Sequence, residues 1–328
     1  MIAVVGEALI DAHRDGDLLR LFPGGGPFNT AIALGRLGVP ACYLGAISQD
    51  RLGRQLEQTL QAAGVDTRRI VHVDVPTPIA IVDSTSAEPS YSFYLAGTAH
   101  EALRRHDLED LPHDVAALHV GTLALATDPP ASAIAEFAER EARQRTLVVD
   151  PNIRPVLIED RDTYLRRFEQ LSSVAGLVKL SAADLAWLYP DRSQRDAVRR
   201  LLAGGAGCVV LTHGPEGAEG WTASTSARVT APAVTVVDTV GAGDAFGAGL
   251  LAWLWRFNRL DKPTLRQLGA SELEAALGYA AAVAAAQCSR ASAWGPTAAD
   301  VDRLLDETGA RSGGSREENE WHRSSSMT

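Results

Sequence analysis

Asp238-Thr239-Val240-Gly241-Ala242-Gly243-Asp244-Ala245-Phe246 is the stretch on which the reading of this chain turns. An extended apolar run, Val234–Val237, leads into it, and a helical run, Ala245–Phe257, leaves it. Small residues where a strand meets a helix N-terminus let several backbone N–H groups converge on an anion. A carboxylate inside such a cradle would repel a bound phosphate unless it had a chemical task. Phosphoryl transfer supplies one: Asp244 takes a proton from a hydroxyl while the cradle neutralises the moving group. A helix cap without chemistry is the plain alternative for Asp244, and the glycine-rich neighbours weigh against it.

Outward from this junction the chain alternates strand and helix patterns. Strands are expected at Ala3–Val5, Ala41–Ala46, Ala117–Val120, Leu147–Val149, Val174–Lys179 and Cys208–Thr212. Helices are expected at Asn29–Leu37, Leu52–Ala63, Ala131–Gln144, Asp162–Leu171, Ala182–Leu188, Gln194–Leu202, Ser271–Ala286 and Ala298–Glu307. Such alternation implies a mostly parallel sheet with helices on both faces. Sites in these sheets form at the carboxyl ends of strands, so Asp150, Lys179, Thr212 and Asp238 are expected on one rim. Asp11–Phe22 reads as a hairpin, and Ile79–Val82 with Tyr91–Leu95 as two more strands; together they suggest a small separate sheet. A further hairpin is expected through Gly217–Val229.

The 328 residues, 46% hydrophobic, suffice for one large α/β domain. A net charge of −10 without a basic stripe argues against nucleic-acid binding. No apolar run reaches the roughly 18 residues of a membrane span. Cys42, Cys208 and Cys288 are scattered through apolar stretches, as expected of reduced thiols in a cytoplasmic protein. The histidines show no metal-ligand spacing, although His119 could approach a ligand at the end of its strand. The stretch from Gly309 to Thr328, rich in Gly, Ser, Arg and Glu, is expected to be disordered.

Further motifs accompany the opening one in order. They are Gly6-Glu7-Ala8-Leu9-Ile10-Asp11, Pro23-Gly24-Gly25-Gly26-Pro27-Phe28-Asn29 with Gly35-Arg36-Leu37-Gly38, Asp150-Pro151-Asn152-Ile153-Arg154 and Val178-Lys179-Leu180-Ser181. With them the chain resembles the ribokinase-like (PfkB) carbohydrate kinases over roughly residues 1–305, and looks most like the fructokinase branch. The resemblance implies a kinase domain over 1–308, with a sheet of about nine strands and a β-sheet lid built from about 11–22 and 77–98. It implies Asp244 as general base and an anion hole of the backbone amides of Gly241, Ala242, Gly243 and Asp244. Asp11, Gly25 and Asn29 would hold sugar hydroxyls, with Phe93 or Tyr94 facing the sugar. Arg154 would lie near the phosphates or the sugar. Lys179, Thr212, Gly214 and Gly217 match nucleotide-side positions, and Ala282–Ser289 is expected near adenine. ATP with Mg²⁺ would be the donor, and K⁺ would bind near Asp238 and Val240. A homodimer through the lid is a further implication.

The residue chemistry is compatible with these roles. Asp11 is an acceptor-only carboxylate suited to paired hydroxyls, and Arg154 offers bidentate contact to phosphate. Asn29 could bind sugar or cap its helix. A helix N-terminus is expected to lower the pKa of Asp244. Two departures stand out. The family's Asn-x-x-Glu motif, linked to magnesium, is Ser181-Ala182-Ala183-Asp184 here; Asp184 would act on Mg²⁺ through water or be an exposed first-turn acid beside a capping serine. Leu95 also stands where fructokinases and ketodeoxygluconate kinases carry an arginine after the aromatic pair, which weighs against both substrates, the acidic sugar more. Fructose is the first acceptor to consider, followed by ribose, 2-keto-3-deoxygluconate or a nucleoside. A non-catalytic sugar sensor is a rival of another class. A nicotinamide dehydrogenase is weaker still, because Gly247 breaks the Gly-x-Gly-x-x-Gly spacing.

Overall fold

A computed structural model describes residues 1–83, 90–290 and 295–308. The chain opens with β1 (Ile2–Val5), β2 (Leu9–Asp15), β3 (Leu18–Gly24), α1 (Gly26–Arg36), β4 (Ala41–Ser48), α2 (Arg51–Ala62), β5 (Ile70–Val73), β6 (Ile79–Asp83) and β7 (Ser90–Tyr94). Regular alternation follows: β8 (Ala117–Gly121), α3 (Pro130–Glu141), β9 (Thr146–Asp150), α4 (Arg161–Val174), β10 (Leu177–Ser181), α5 (Ala182–Leu188), α6 (Gln194–Gly204) and β11 (Cys208–Thr212). The antiparallel pair β12 (Ala218–Trp221) and β13 (Ser226–Val229) precedes α7 (Ala242–Arg256), α8 (Lys262–Arg266), α9 (Ala270–Cys288) and α10 (Ala298–Thr308).

Nine strands form the main sheet in the order β13-β12-β11-β10-β9-β8-β1-β4-β5, parallel from β11 through β5. Its strands are apolar on both sides because both faces are covered. Ile2 and Val4 of β1 pack with Phe28, Leu250 and Leu277 of α1, α7 and α9. Ala3 and Val5, pointing the other way, join Phe137, Phe168 and Leu188 of α3, α4 and α5. A second sheet of four strands, β3-β2-β6-β7, stands apart from the first. From β1 the chain winds one way through β4 and β5, and then the other way through β8 to β11. The order therefore reverses beside β1, and the crevice at the carboxyl ends of β1 and β8 is where ligands enter such sheets.

Several boundaries differ from expectation. Val234–Val237 is not a strand: residues 230–238 are irregular, and Val236 and Val237 are exposed. Burial on one side only would suit an edge strand, but here Val237 N–H instead donates to the Cys288 carbonyl at the end of α9. Val174 closes α4 rather than opening β10, and β5 and α8 have no counterpart in the sequence reading. The turn between β6 and β7 and the segment 309–328 lie outside the described residues, so the expected turn and tail are not addressed.

Candidate active site

Three strand ends feed the crevice. After β1, Gly6 (φ 153°) turns the chain so that Glu7 points inward, 4% exposed. Its Oε1 accepts from Gly26 N–H (3.2 Å) and its Oε2 from Ala124 N–H (3.2 Å). Burial raises the Glu7 pKa to about 8, against the two amides, and nearby Asp244 adds to the rise. After β8, Thr122 (φ 58°) opens a short 3₁₀ turn; after β9 comes Asn152 (φ 37°). Both are non-glycine residues held in the left-handed region, and they meet: Asn152 Nδ2 donates to Thr122 Oγ1 at 3.3 Å.

Asp244 reaches the same point from the first turn of α7, whose N-cap Gly241 is left-handed (φ 74°). Asn29 Nδ2 donates to Asp244 Oδ2 at 2.9 Å, and Asn152 Nδ2 makes a long contact of 3.5 Å to Oδ1. The carboxylate is 8% exposed, and burial raises its pKa; the Asn29 bond and the charges of Lys179 and Arg154 pull it back. This reverses the expected lowering by the helix N-terminus: desolvation outweighs the dipole. Asn29 does not cap α1. The cap is Gly25, leaving the Asn29 amide free for Asp244.

The helix end beside Asp244 is the expected anion cradle. First-turn N–H groups have no intrahelical acceptor. Ala242 N–H is nevertheless taken by the Thr239 carbonyl (3.2 Å), which removes it from the four expected donors and leaves Gly243 and Asp244 on the first turn. Lys179 lies beneath: a Cβ at Gly243 would sit 3.4 Å from its Nζ. Lys179 is buried and pairs with Asp150 Oδ2 at 2.8 Å. Burial opposes the ammonium, but Asp150, with Asp244 and Asp184 nearby, keeps its pKa above the ordinary value. Burial raises the pKa of Asp150 to about 6, against the charge and hydrogen bond of Lys179.

Asp11, Gly25, Asn29, Phe93, Arg154 and Asp244 line one open pocket of about 510 Å³, mouth included, and Val240 reaches its edge. The small sheet forms one wall. Asp11 projects from β2, and burial together with Asp244 raises its pKa to about 7, against Arg154. Arg154 donates to Asn152 Oδ1 (2.8 Å) and lies over the Tyr91 ring, 5.6 Å from its centre. Phe93 and Tyr91 face the pocket; Tyr94, on the opposite side of β7, is 59% exposed and does not line it.

Other expected residues fall elsewhere. Thr212, Gly214 and Gly217 follow the carboxyl end of β11, outside this pocket, with Thr212 Oγ1 turned to the Leu180 carbonyl. Asp184 is buried rather than exposed and completes the capping box with Ser181: Oδ1 accepts from Ile153 N–H (2.7 Å), and Oδ2 from Ser181 N–H and Oγ (2.9 and 2.6 Å). It braces the loop after β9 against the start of α5. Among the described residues no cluster of three or more His, Cys, Asp or Glu could hold a metal ion. Asp238 Oδ1 accepts from Val240 N–H, and the Val240 carbonyl accepts from Gln287 Nε2. Of Ala282–Ser289, expected near adenine, Ala282, Val283, Ala285, Ala286 and Gln287 are buried, Cys288 is half-buried and Ser289 is exposed. His119 is buried away from the pocket, its pKa lowered to about 3 by desolvation and Lys179. Glu7, Thr122, Asn152, Tyr91 and His13 line the pocket without a role foreseen from sequence. Two of these, Glu7 and Asn152, lie inside the quoted motifs, which was the available signal.

In chemical terms the pocket presents a buried carboxylate, oriented by two amides, next to helix N–H donors and a buried cation.

The sequence profile of the pfkB family carbohydrate kinases matches residues 1–299. A fructokinase of Rhizobium leguminosarum bv. trifolii is 40% identical over 273 residues, covering 82% of this chain and 84% of its own. The crystal structure of a fructokinase with bound ATP from Xylella fastidiosa superposes with a TM-score of 0.87 at 26% identity, over 94% of this chain and 98% of its own. A fructokinase from Vibrio cholerae O395, in fructose, ADP and calcium ion bound form, gives 0.80 at 26% identity, over 93% and 98%. These matches show that the chain belongs to the PfkB family of carbohydrate kinases.

Proposed function

We propose that this ATP-dependent carbohydrate kinase transfers the γ-phosphoryl group of ATP to a primary hydroxyl of fructose. The observation that carries the proposal is the Asp244 carboxylate, buried at the pocket floor between the amides of Asn29 and Asn152. Asp244 removes the hydroxyl proton, and the amides of Gly243 and Asp244, with Lys179 below them, receive the transferring charge. Gly241 holds the turn that aims them. Asp11 and Asn29 grip sugar hydroxyls, Gly25 lets the backbone approach, Phe93 packs on the carbon skeleton, and Arg154 neutralises the phosphoryl group or a sugar oxygen. Thr212, Gly214 and Gly217 form the nucleotide side. Leu95, packed against Leu9, Ala80 and Leu123, brings no cation for an acidic sugar.

Mg²⁺ enters this reading on the phosphates of the nucleotide, where Asp184, already holding Ile153 and Ser181, would act on it through water. K⁺ beside Asp238 and Val240 is a further part of the proposal, tested by replacing K⁺ with a bulky organic cation. A homodimer through the small sheet would cover Leu18, Leu19 and Leu21, which are exposed on its edge strand β3. The thiols of Cys42, Cys208 and Cys288 are all free, in keeping with a cytoplasmic location.

The deciding experiment is ADP formation from Mg-ATP with fructose, ribose, 2-keto-3-deoxygluconate and common nucleosides. The proposal expects the highest kcat/KM for fructose. A higher value for any other acceptor would replace fructose, and sugar binding without ADP release would turn the reading into a sensor.

A further inference from the structure

Leu9, Asp11 and His13 alternate along β2 onto one face and line the acceptor pocket in that order. His13 Nε2 is buried and, among the described residues, has no hydrogen-bond partner. Phe22 of β3 meets the His13 ring edge to face, with centroids 5.2 Å apart and an interplanar angle of 80°, which fixes the imidazole plane. The one other pocket-lining side chain with a buried unpartnered polar atom is Asn29, through Oδ1. A buried polar group without a partner is costly, so both atoms call for a polar ligand in the space they share.

We infer that His13 is a specificity-determining residue, its Nε2 hydrogen-bonding the hydroxyl at the end of the acceptor remote from Asp244. The strand rise separates Asp11 and His13 by about 7 Å, which is comparable to the length of a six-carbon sugar. Asp11 lies close enough to Asp244 to be raised by its charge, and His13 is one step further toward the exposed tip of β2. A ketohexose held at Asp11 with its reacting hydroxyl at Asp244 extends its other primary hydroxyl to the imidazole. A pentose stops short of it. Selection therefore rests on a single polar contact, whose loss strands the imidazole as well as the sugar oxygen.

The inference rests on the kinase reading above, and the test separates the two. Wild-type protein is assayed first with Mg-ATP and fructose; absence of ADP formation there overturns the kinase reading itself. The kcat/KM for fructose is then compared with that for the deoxy analogue lacking the primary hydroxyl that is not phosphorylated. Wild type should prefer fructose by about tenfold or more. His13→Leu should bring that preference to within about twofold by losing fructose turnover, with the KM for ATP unmoved, and His13→Gln, which can still hydrogen-bond, should restore part of it. An unchanged preference in His13→Leu would overturn the inference. If that variant does not fold, His13→Gln decides alone: a preference reduced with ATP KM intact supports the inference, and an unchanged one overturns it.

Discussion

At Asp244 two opposing effects set the proton affinity. Burial raises it, while the Asn29 amide and the charges of Lys179 and Arg154 lower it, and burial prevails. Orientation is a separate matter and depends on Asn152, whose amide approaches Oδ1 and whose own oxygen anchors Arg154. Asn152→Ala should lower kcat about tenfold at saturating fructose and ATP, a loss of roughly 1.4 kcal/mol of transition-state stabilisation. Steady-state kinetics reads this directly, and an unaltered kcat would show that Asn29 alone aims the base. Asp11, Asn29 and Asp244, each quoted in a separate sequence motif, come together in one pocket. Asn152 and Glu7 were quoted in such motifs without a role, since what they do depends on partners about 20 to over 100 residues away, such as Gly26 and Ala124 for Glu7. The cap formed by Ser181 with Asp184 was legible, but the burial of Asp184 was not, because its bond to Ile153 N–H cannot be seen from residues 181–184.

The turn from β3 into α1 is packed against its neighbours at every glycine. A Cβ on Gly24 would lie 2.0 Å from Asp11 Oδ2, and one on Gly25, at φ 110°, would lie 2.8 Å from the Glu7 carbonyl. Gly24→Ala should therefore displace the Asp11 carboxylate and raise the KM for fructose about tenfold while leaving the KM for ATP unchanged. Kinetics with each substrate varied in turn would contradict this if both constants rose together. Glu7 ties this turn to the 3₁₀ turn after β8, and its titration should appear in stability. Its folded pKa of about 8 lies above the ordinary glutamate value of 4.5, so the folded chain keeps a proton that the unfolded chain releases. That contribution is complete below pH 4.5 and is lost as the pH rises to about 8. Between pH 5 and 8 the Tm of Glu7→Gln should fall less steeply than that of wild type; parallel Tm profiles would rule out this origin. Elements with strong periodicity, such as α5 and β11, were legible to the residue. The run Val234–Val237 was not, because β-branched residues in an exposed irregular segment look like a strand until the absence of a neighbour is known.

On the scale of the molecule, a sheet apolar on both faces places its polar chemistry at one end, beside the strand where the winding reverses. That much followed from the strand–helix alternation and the order of the motifs. The four-stranded sheet over the pocket was also legible, from two hairpin-like segments far apart in sequence. The depth of the charges was not: Lys179 and Asp150 read as rim residues but form a buried pair across β9 and β10. Lys179→Met should leave Asp150 uncompensated and cost about 3–5 kcal/mol of unfolding free energy, measured by denaturant titration; a loss under about 1 kcal/mol would mean that water reaches the pair. All of this converges on a buried base that deprotonates a sugar held beneath the small sheet. The most direct measurement is fructose-dependent ADP formation by Asp244→Asn, with fructose binding followed in parallel by calorimetry. The account predicts a fall in kcat of about a thousandfold with fructose still bound; turnover within tenfold of wild type would contradict it.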